Sequence, residues 1–131
     1  MQLKTGTSKT LYFTVTPQNT AVSMKSGALE VYATPMMIAA MEETCMELAA
    51  EGLDPGSATV GTLVNINHLA PSPVGASVSV RGELVEVDGR RLVFKVSASD
   101  SEDLIGEGTH ERFVVDTARF MDKVEAKKSR I

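Results

Sequence analysis

A glutamate inside an apolar run is the residue of this sequence whose position most needs a chemical explanation. Glu42 lies within residues 36–49, where apolar side chains would surround almost the whole circumference of a helix. A buried carboxylate is unfavourable unless it is paired, so Glu42 is either functional or held by a hydrogen-bonding partner. Glu43, Glu47 or both are expected to form the solvated face. Physical chemistry alone favours a structural role for Glu42 slightly over a catalytic one.

Thr34 and His68 are the two side chains that could act together with Glu42. Thr34 precedes Pro35, so it is expected to N-cap the helix, and a hydroxyl beside free N–H groups also suits a carbonyl under attack. Thr34 and Glu42 are eight positions apart, slightly more than two helical turns, so both can border one cleft. His68 closes a predicted strand before a proline-rich turn, where catalytic groups often collect. A surface histidine is an equally good interpretation of His68.

The case for a chemical role is weaker at Gly61, His110 and Cys45. Gly61 interrupts a good strand at residues 60–64, so it marks a bulge or a place where a ligand approaches the backbone, and the bulge alone is the favoured explanation. A structural role is favoured for His110, inside the last predicted strand, and Cys45 is expected in the core. No zinc-like spacing of histidine and cysteine occurs, so no metal site is expected.

The elements that must position these residues follow an α+β pattern. A short strand at residues 11–16 precedes the helix, which Gly52 ends. Four strands are predicted to follow in hairpin succession, at residues 59–67, 77–86, 91–99 and about 104–115. Alternation gives the second and third of them one apolar face each: Val78, Val80, Gly82, Leu84 and Leu92, Phe94, Val96, Ala98. Asp88-Gly89 predicts a type I′ hairpin turn.

The helix is expected to be buried on nearly all sides by the sheet that wraps it. A sheet with one such helix leaves an edge strand exposed, and joining two sheets edge to edge in a dimer would cover it. Residues 18–27 are small and polar and are expected to form a flexible segment that covers something. The basic run at residues 123–130 is expected to be a frayed tail rather than a binding patch.

The composition is typical of one ordinary globular domain. The 131 residues, of which 43% are apolar, suit a single hydrophobic core. A net charge of −4 without a long basic stripe argues against nucleic-acid binding. No apolar run approaches the roughly 18 residues that a membrane-spanning helix needs. A single cysteine suits a reducing compartment, so a cytoplasmic protein without a membrane partner is expected.

Several of these motifs, taken in order, resemble the fluoroacetyl-CoA thioesterase family of hotdog proteins over about residues 11–128. The motifs are Val31-Tyr32-Ala33-Thr34 leading into the helix with Glu42, then Val60-Gly61-Thr62, His68, Asp88-Gly89-Arg90-Arg91-Leu92 and Gly108-Thr109-His110-Glu111-Arg112. The spacing of Thr34, Glu42 and His68 matches the family's threonine, glutamate and histidine. The resemblance implies a hotdog fold, in which an antiparallel sheet wraps one long central helix, as a single domain over residues 1–131. It also implies a homodimer, with association to a tetramer left open.

The resemblance further implies hydrolysis of a small acyl-CoA thioester, with coenzyme A as part of the substrate and no separate cofactor. Glu42 would attack the thioester to form an anhydride or activate water as a general base. His68 would assist proton transfer and stabilise the departing thiolate. Thr34 would hydrogen-bond to this pair, and the Gly61 backbone N–H would face the developing oxyanion.

One departure from the family pattern concerns the acyl group. The family's fluoroacetyl enzyme carries an aromatic gate just before the Val-aromatic-Ala-Thr stretch, whereas this chain has Ser26-Gly27-Ala28-Leu29 there. A thioesterase of unassigned acyl preference is therefore predicted, without fluoroacetyl selectivity.

Two alternatives stay open beside that function. The first is a non-catalytic hotdog module that binds an acyl-CoA or another small ligand, and the second is a dehydratase acting on hydroxyacyl thioesters. Arg90 and Arg91 could meet coenzyme A phosphates across a dimer, although a solvated hairpin tip is the favoured interpretation.

Overall fold

The computed structural model describes all 131 residues and contains one antiparallel sheet packed against one long helix. Its elements in chain order are β1 (Ser8–Thr14), a short 3-10 helix (Pro17–Asn19), α1 (Ala21–Met24), α2 (Thr34–Ala50), β2 (Ser57–His68), β3 (Ser77–Asp88), β4 (Arg91–Ser99), β5 (Leu104–Asp116) and α3 (Thr117–Lys128). None of these helices combines the length and the apolarity needed to cross a bilayer.

The strand order is β1-β3-β4-β5-β2, which corrects the predicted hairpin succession for β2. β2 pairs with β5 at one edge, and β3 lies three places away beside β1. The segment between β2 and β3 leaves the sheet because its backbone hydrogen-bonds to residues distant in the sequence. Leu69 N donates to Ile105 O (2.7 Å), and Ser72 O accepts from Tyr32 N (2.9 Å). Pro71 and Pro73 in this connection have no N–H to continue a ladder. The chain therefore crosses past the start of α2 before β3 begins.

The core lies between one face of α2 and the inner face of the sheet. The buried residues of α2 are Met37, Ala40, Met41, Thr44, Cys45, Leu48 and Ala49. Both predicted strand faces are confirmed, since all eight positions predicted to form the apolar faces of β3 and β4 are buried. The prediction that α2 is buried all round is wrong for the single chain, because Ala39, Glu43 and Met46 are exposed on its far side. Cys45 lies in the core as expected.

The turn between β3 and β4 differs from the predicted one. Asp88 pairs with Arg91 as the last pair of the ladder, so the loop consists of Gly89 and Arg90. Gly89 has φ +60°, and Arg90 is not in the left-handed region. This is the pattern of a type II′ turn, which places glycine first. A type I′ turn centred on Asp88-Gly89 would need a positive φ at Asp88, whereas the ladder keeps that residue extended.

Short helices occur in the segment that is predicted to be flexible, and a longer helix occurs in the predicted frayed tail. In the first, the Thr20 side chain accepts from Ser23 N and caps α1, so residues 18–27 contain a capped helical turn. In the second, the Asp116 side chain accepts from Arg119 N (3.0 Å) and starts α3, which carries most of the basic run. Side-chain caps of this kind satisfy helix N–H groups that would otherwise have no partner.

Candidate active site

Thr34 and His68 form a hydrogen-bonded pair where α2 begins and β2 ends. Thr34 Oγ1 lies 2.7 Å from His68 Nδ1. The expectation that Thr34 caps the helix is wrong: Ala33 is the N-cap residue and makes no side-chain cap bond, and Thr34 is the first helical residue. Because the hydroxyl is not used by the helix terminus, it is free to hold the imidazole.

A cavity of about 330 Å³ adjoins this pair and is called the mouth cavity below. Thr34, His68, Leu69 and Ser26 contribute to its lining. His68 Nε2 is buried and has no hydrogen-bond partner in the chain. Burial lowers the pKa of His68, and the backbone of Ala70 opposes that shift. A neutral imidazole with one nitrogen fixed by Thr34 and the other unpartnered is able to transfer a proton.

Glu42 lies against Gly61, at the middle of α2. A Cβ atom added to Gly61 would come within 2.9 Å of Glu42 Oε2. The ladder between β2 and β5 shifts register between Gly61 and Leu63, so Gly61 both begins a bulge and leaves room for a carboxylate. Glu42 is half-buried, Glu43 is exposed as expected, and neither makes a hydrogen bond or an ion pair.

The bulge also decides which face of the sheet His68 occupies. Gly61 pairs with Arg112, Leu63 with Glu111 and His68 with Gly106. Gly61 and His68 are an odd number of positions apart, so in an unbroken strand they would point to opposite faces. The extra residue, Thr62, restores the match, and both positions lie on the face toward α2. The bulge therefore aligns the two halves of the candidate site on one side of the sheet.

His110 and Arg112 form a buried polar pair beside Glu42 that the sequence analysis did not assign to the site. Arg112 is 6% exposed, and its Nη1 lies 3.1 Å from His110 Nε2. Arg112 also donates from Nε to Thr59 Oγ1 (2.8 Å) and from Nη2 to Thr59 O (3.0 Å). Burial lowers the pKa of Arg112, and the nearby charge of Glu42 opposes this. The detectable signal was the alternation of β5, which puts these two polar residues on the inner face.

The partners of His110 fix its protonation state. His110 Nδ1 lies 2.7 Å from Leu63 O, and a carbonyl only accepts, so Nδ1 carries the proton. Arg112 only donates, so His110 Nε2 must be the bare acceptor. His110 is therefore a neutral imidazole. Burial lowers the pKa of His110, and although its bond to Leu63 O opposes this, the charge of Arg112 lowers it further.

We expect the folded protein to lose stability as the pH falls below 6.5, with His110 as one cause. The pKa of His110 is below 6.5 in the folded state, so the unfolded chain takes up a proton that the folded chain excludes. The stabilising effect of neutral His110 is present above pH 6.5 and is lost as the pH falls toward the folded-state pKa. Melting temperatures of His110→Gln should fall less between about pH 7.5 and about pH 5.5 than those of the wild type. An equal fall in both proteins would contradict this role.

Within one chain, the structure forms two half-sites rather than one complete site. Thr34 contacts His68, and Glu42 contacts Gly61, but no hydrogen bond joins the two pairs. The β5 partners of Gly61 and His68 are six strand positions apart, which corresponds to a separation of about 20 Å. Eight positions of helix span about 12 Å, which separates Thr34 from Glu42.

Gly61→Ala is expected to fold and to displace the Glu42 carboxylate. The new methyl group would lie 2.9 Å from Glu42 Oε2, the mobile end of a flexible side chain, and 3.3 Å from His110 Cε1. If Glu42 is catalytic, its displacement should lower kcat by up to about 10²-fold with little change in melting temperature. Gly108→Ala is the contrasting variant, because its methyl group would meet the rigid Asn65 backbone carbonyl and should unfold the protein. A fully active Gly61→Ala would argue against the carboxylate position.

The sequence also matches a known protein family. The family model described as FlK, fluoroacetyl-CoA-specific thioesterase, matches residues 15–118. The chain belongs to this family. The FlK family match includes Thr34, Glu42, Gly61 and His68 and ends just after α3 begins.

Individual relatives are similar to this chain over most of their length. The fluoroacetyl-CoA thioesterase of Streptantibioticus cattleyicolor is 45% identical over 98 residues, which are 75% of this chain and 70% of that protein. A variant of the FlK enzyme in complex with acetyl-CoA superposes with a TM-score of 0.90 at 37% identity, over 95% of this chain and 98% of that chain. A hot-dog-like protein from Thermanaerovibrio acidaminovorans superposes with a TM-score of 0.87 at 27% identity, over 94% and 91% of the two chains. The predicted α+β hotdog fold is confirmed.

Proposed function

We propose that this protein is a thioesterase that hydrolyses small acyl-CoA thioesters, with Glu42 as its central group. The observation that carries the proposal is the Glu42 carboxylate, which lies against the Gly61 backbone without any hydrogen-bonding or ionic partner. A half-buried carboxylate left unpaired is available to a substrate or a water molecule. Membership of a thioesterase family supports the same reaction.

Two routes of thioester hydrolysis are compatible with the arrangement of Glu42, Gly61, Thr34 and His68. In one, Glu42 attacks the thioester carbon, the carbon–sulfur bond breaks, and water then hydrolyses the acyl-glutamyl anhydride. In the other, Glu42 takes a proton from water, and that water attacks the thioester directly. In both, the leaving thiolate ends as the coenzyme A thiol, with His68 assisting proton transfer while Thr34 orients its ring. The Gly61 N–H would stabilise the negative charge that develops on the carbonyl oxygen.

The proposed assembly is a homodimer in which two β2 strands pair along their free edges. β2 is a 12-residue edge strand, and its Leu63 and Val64 side chains are 43% and 44% exposed. A long, apolar, exposed edge favours pairing with another strand. A two-fold axis through Asn65, with Thr62 as the extra residue of the bulge, would set Gly61 opposite the partner's His68. Each complete site would then combine Glu42 and Gly61 of one protomer with the partner's Thr34 and the partner's His68.

The acyl preference is proposed to be broader than that of a fluoroacetyl-selective enzyme. Ser26 is the member of residues 26–29 that lines the mouth cavity, while Leu29 is 69% exposed. No aromatic ring of this segment closes the cavity. Small acyl groups that differ in one substituent should therefore be accepted with similar efficiency.

The test is thiol release over a panel of acyl-CoA substrates that includes acetyl-, propionyl- and fluoroacetyl-CoA. Hydrolysis of at least one short acyl-CoA, without a large preference for fluoroacetyl-CoA, is expected. A protein that turns over none of them but still binds acyl-CoA would be better described as a non-catalytic hotdog module.

A further inference from the structure

A second and larger cavity, of about 590 Å³, lies where the β3–β4 turn, the end of β5 and α3 meet. Backbone hydrogen bonds hold the segments around this cavity in place. Val114 N donates to Arg90 O (2.8 Å), which ties the hairpin turn to β5, and Thr117 N donates to Gly56 O (2.9 Å), which anchors the start of α3. No group assigned to thioester cleavage lines this cavity, so it is called the distal cavity here.

Three cationic side chains line the distal cavity without an ionic partner. These are Arg90, Arg119 and Lys123, and none of them is in an ion pair of the chain. The neighbouring Arg91, by contrast, is bound by two glutamates. Free guanidinium and ammonium groups that converge on one cavity favour an anionic ligand, and guanidinium groups suit phosphate oxygens in particular.

Two aromatic rings line the same cavity and remain partly open to solvent. Phe113 is 41% exposed and Phe120 is 36% exposed. Exposed aromatic rings beside a cationic patch are the usual platform for stacking a nucleobase. The cavity also contains two carboxylates: Asp116 caps α3, and Asp122 is free to accept from a ribose hydroxyl or an exocyclic amine. The combined chemistry is that of a phosphorylated adenosine.

We propose that the distal cavity binds the phosphorylated adenosine end of the coenzyme A substrate; this rests on the proposed function. Phe113 pairs with Val60 on β2, one position from Gly61, so the cavity lies near the same end of β2 as the Glu42 half-site, with the Phe113 ring on the opposite face of the sheet. In the proposed dimer, this end of β2 lies opposite the chain that follows the partner's His68. The distal cavity of one protomer would then lie at the same end of the paired β2 strands as the mouth cavity of the other.

Binding of adenosine 3′,5′-bisphosphate, measured by titration calorimetry on the full-length protein, tests the site without requiring turnover. Arg119→Gln and Arg90→Gln should each weaken binding about tenfold, because each removes a charged contact to phosphate. Lys127→Gln is the matched control, since it removes one charge from the same helix outside the cavity. Its binding should equal that of the wild type. Melting temperatures would confirm that the variants fold.

Steady-state kinetics provide the second measurement. The ratio of kcat/KM for an acyl-CoA to that for the corresponding acyl-pantetheine should fall about tenfold in Arg119→Gln, mainly through KM. Nucleotide binding that depends on Arg119 would support the site even if no thioester were hydrolysed, and only the proposed function would then fail. Equal binding by wild type, Arg119→Gln and Arg90→Gln, or no binding by the wild type, would overturn the proposal.

Discussion

Replacing Glu42 by glutamine is expected to lower kcat for acyl-CoA hydrolysis by at least about 10²-fold, the effect of losing a positioned base or nucleophile. Glutamine has the same shape but neither attacks a thioester nor accepts a proton from water at neutral pH. Because Glu42 makes no hydrogen bond or ion pair in the chain, the substitution should leave the fold and its melting temperature nearly unchanged. Thiol release under saturating substrate is the measurement.

Glu43→Gln is the matched control for this experiment. It makes the same chemical change one position along α2, on the exposed side of the helix, and should retain wild-type kcat. A Glu42→Gln protein with wild-type activity would remove the carboxylate from the mechanism. Equal losses in both variants would indicate a general effect of helix charge instead.

Mixing two inactive variants is expected to restore activity if each site is shared between protomers. A dimer of one Glu42→Gln chain and one His68→Ala chain would contain one site with both groups intact and one site with neither. Random exchange gives mixed dimers in half of the population, so about one quarter of the wild-type rate should return. Each variant alone should stay nearly inactive. The measurement is thiol release after the two purified proteins are mixed, unfolded and refolded together.

The expected rescue depends on the separation of the two half-sites within one chain. Glu42 lies against Gly61, whereas Thr34 and His68 meet at the far end of β2. If one chain supplied the whole site, each mixed dimer would carry one defect in each site and no activity would return. A mixture of Glu42→Gln with Glu42→Ala provides the control, because no pairing of these chains contains an intact carboxylate.

Local patterns were sufficient to predict most of the elements. Alternation along β3 and β4 identified the buried faces, because hydrophobic side chains in a half-buried strand must recur at every second position. Pro35 and Gly52 bounded the long helix for equally local reasons. Gly61 was recognised as a bulge from the cost of glycine in a strand, and the register shift confirms it.

Non-local contacts account for what the sequence did not reveal. Whether β2 pairs with β3 or β5 depends on where the proline-rich connection finds its hydrogen bonds, and those partners lie far along the chain. Threonine often caps helices, but the Thr34 hydroxyl instead hydrogen-bonds to the imidazole of His68, 34 positions away. Arg112 joins the Glu42 neighbourhood only through the pairing of β5 with β2. No single-strand pattern contains that information.

The burial of Cys45 bears on how such an enzyme tolerates its own product. The reaction releases coenzyme A, a thiol that forms mixed disulfides with reactive cysteines through their thiolates. Cys45 is fully buried in the core, and burial raises the pKa of its thiol to about 12. The native protein therefore offers almost no thiolate for S-thiolation by coenzyme A. A reagent that reports free thiols during turnover would register the released product rather than the protein.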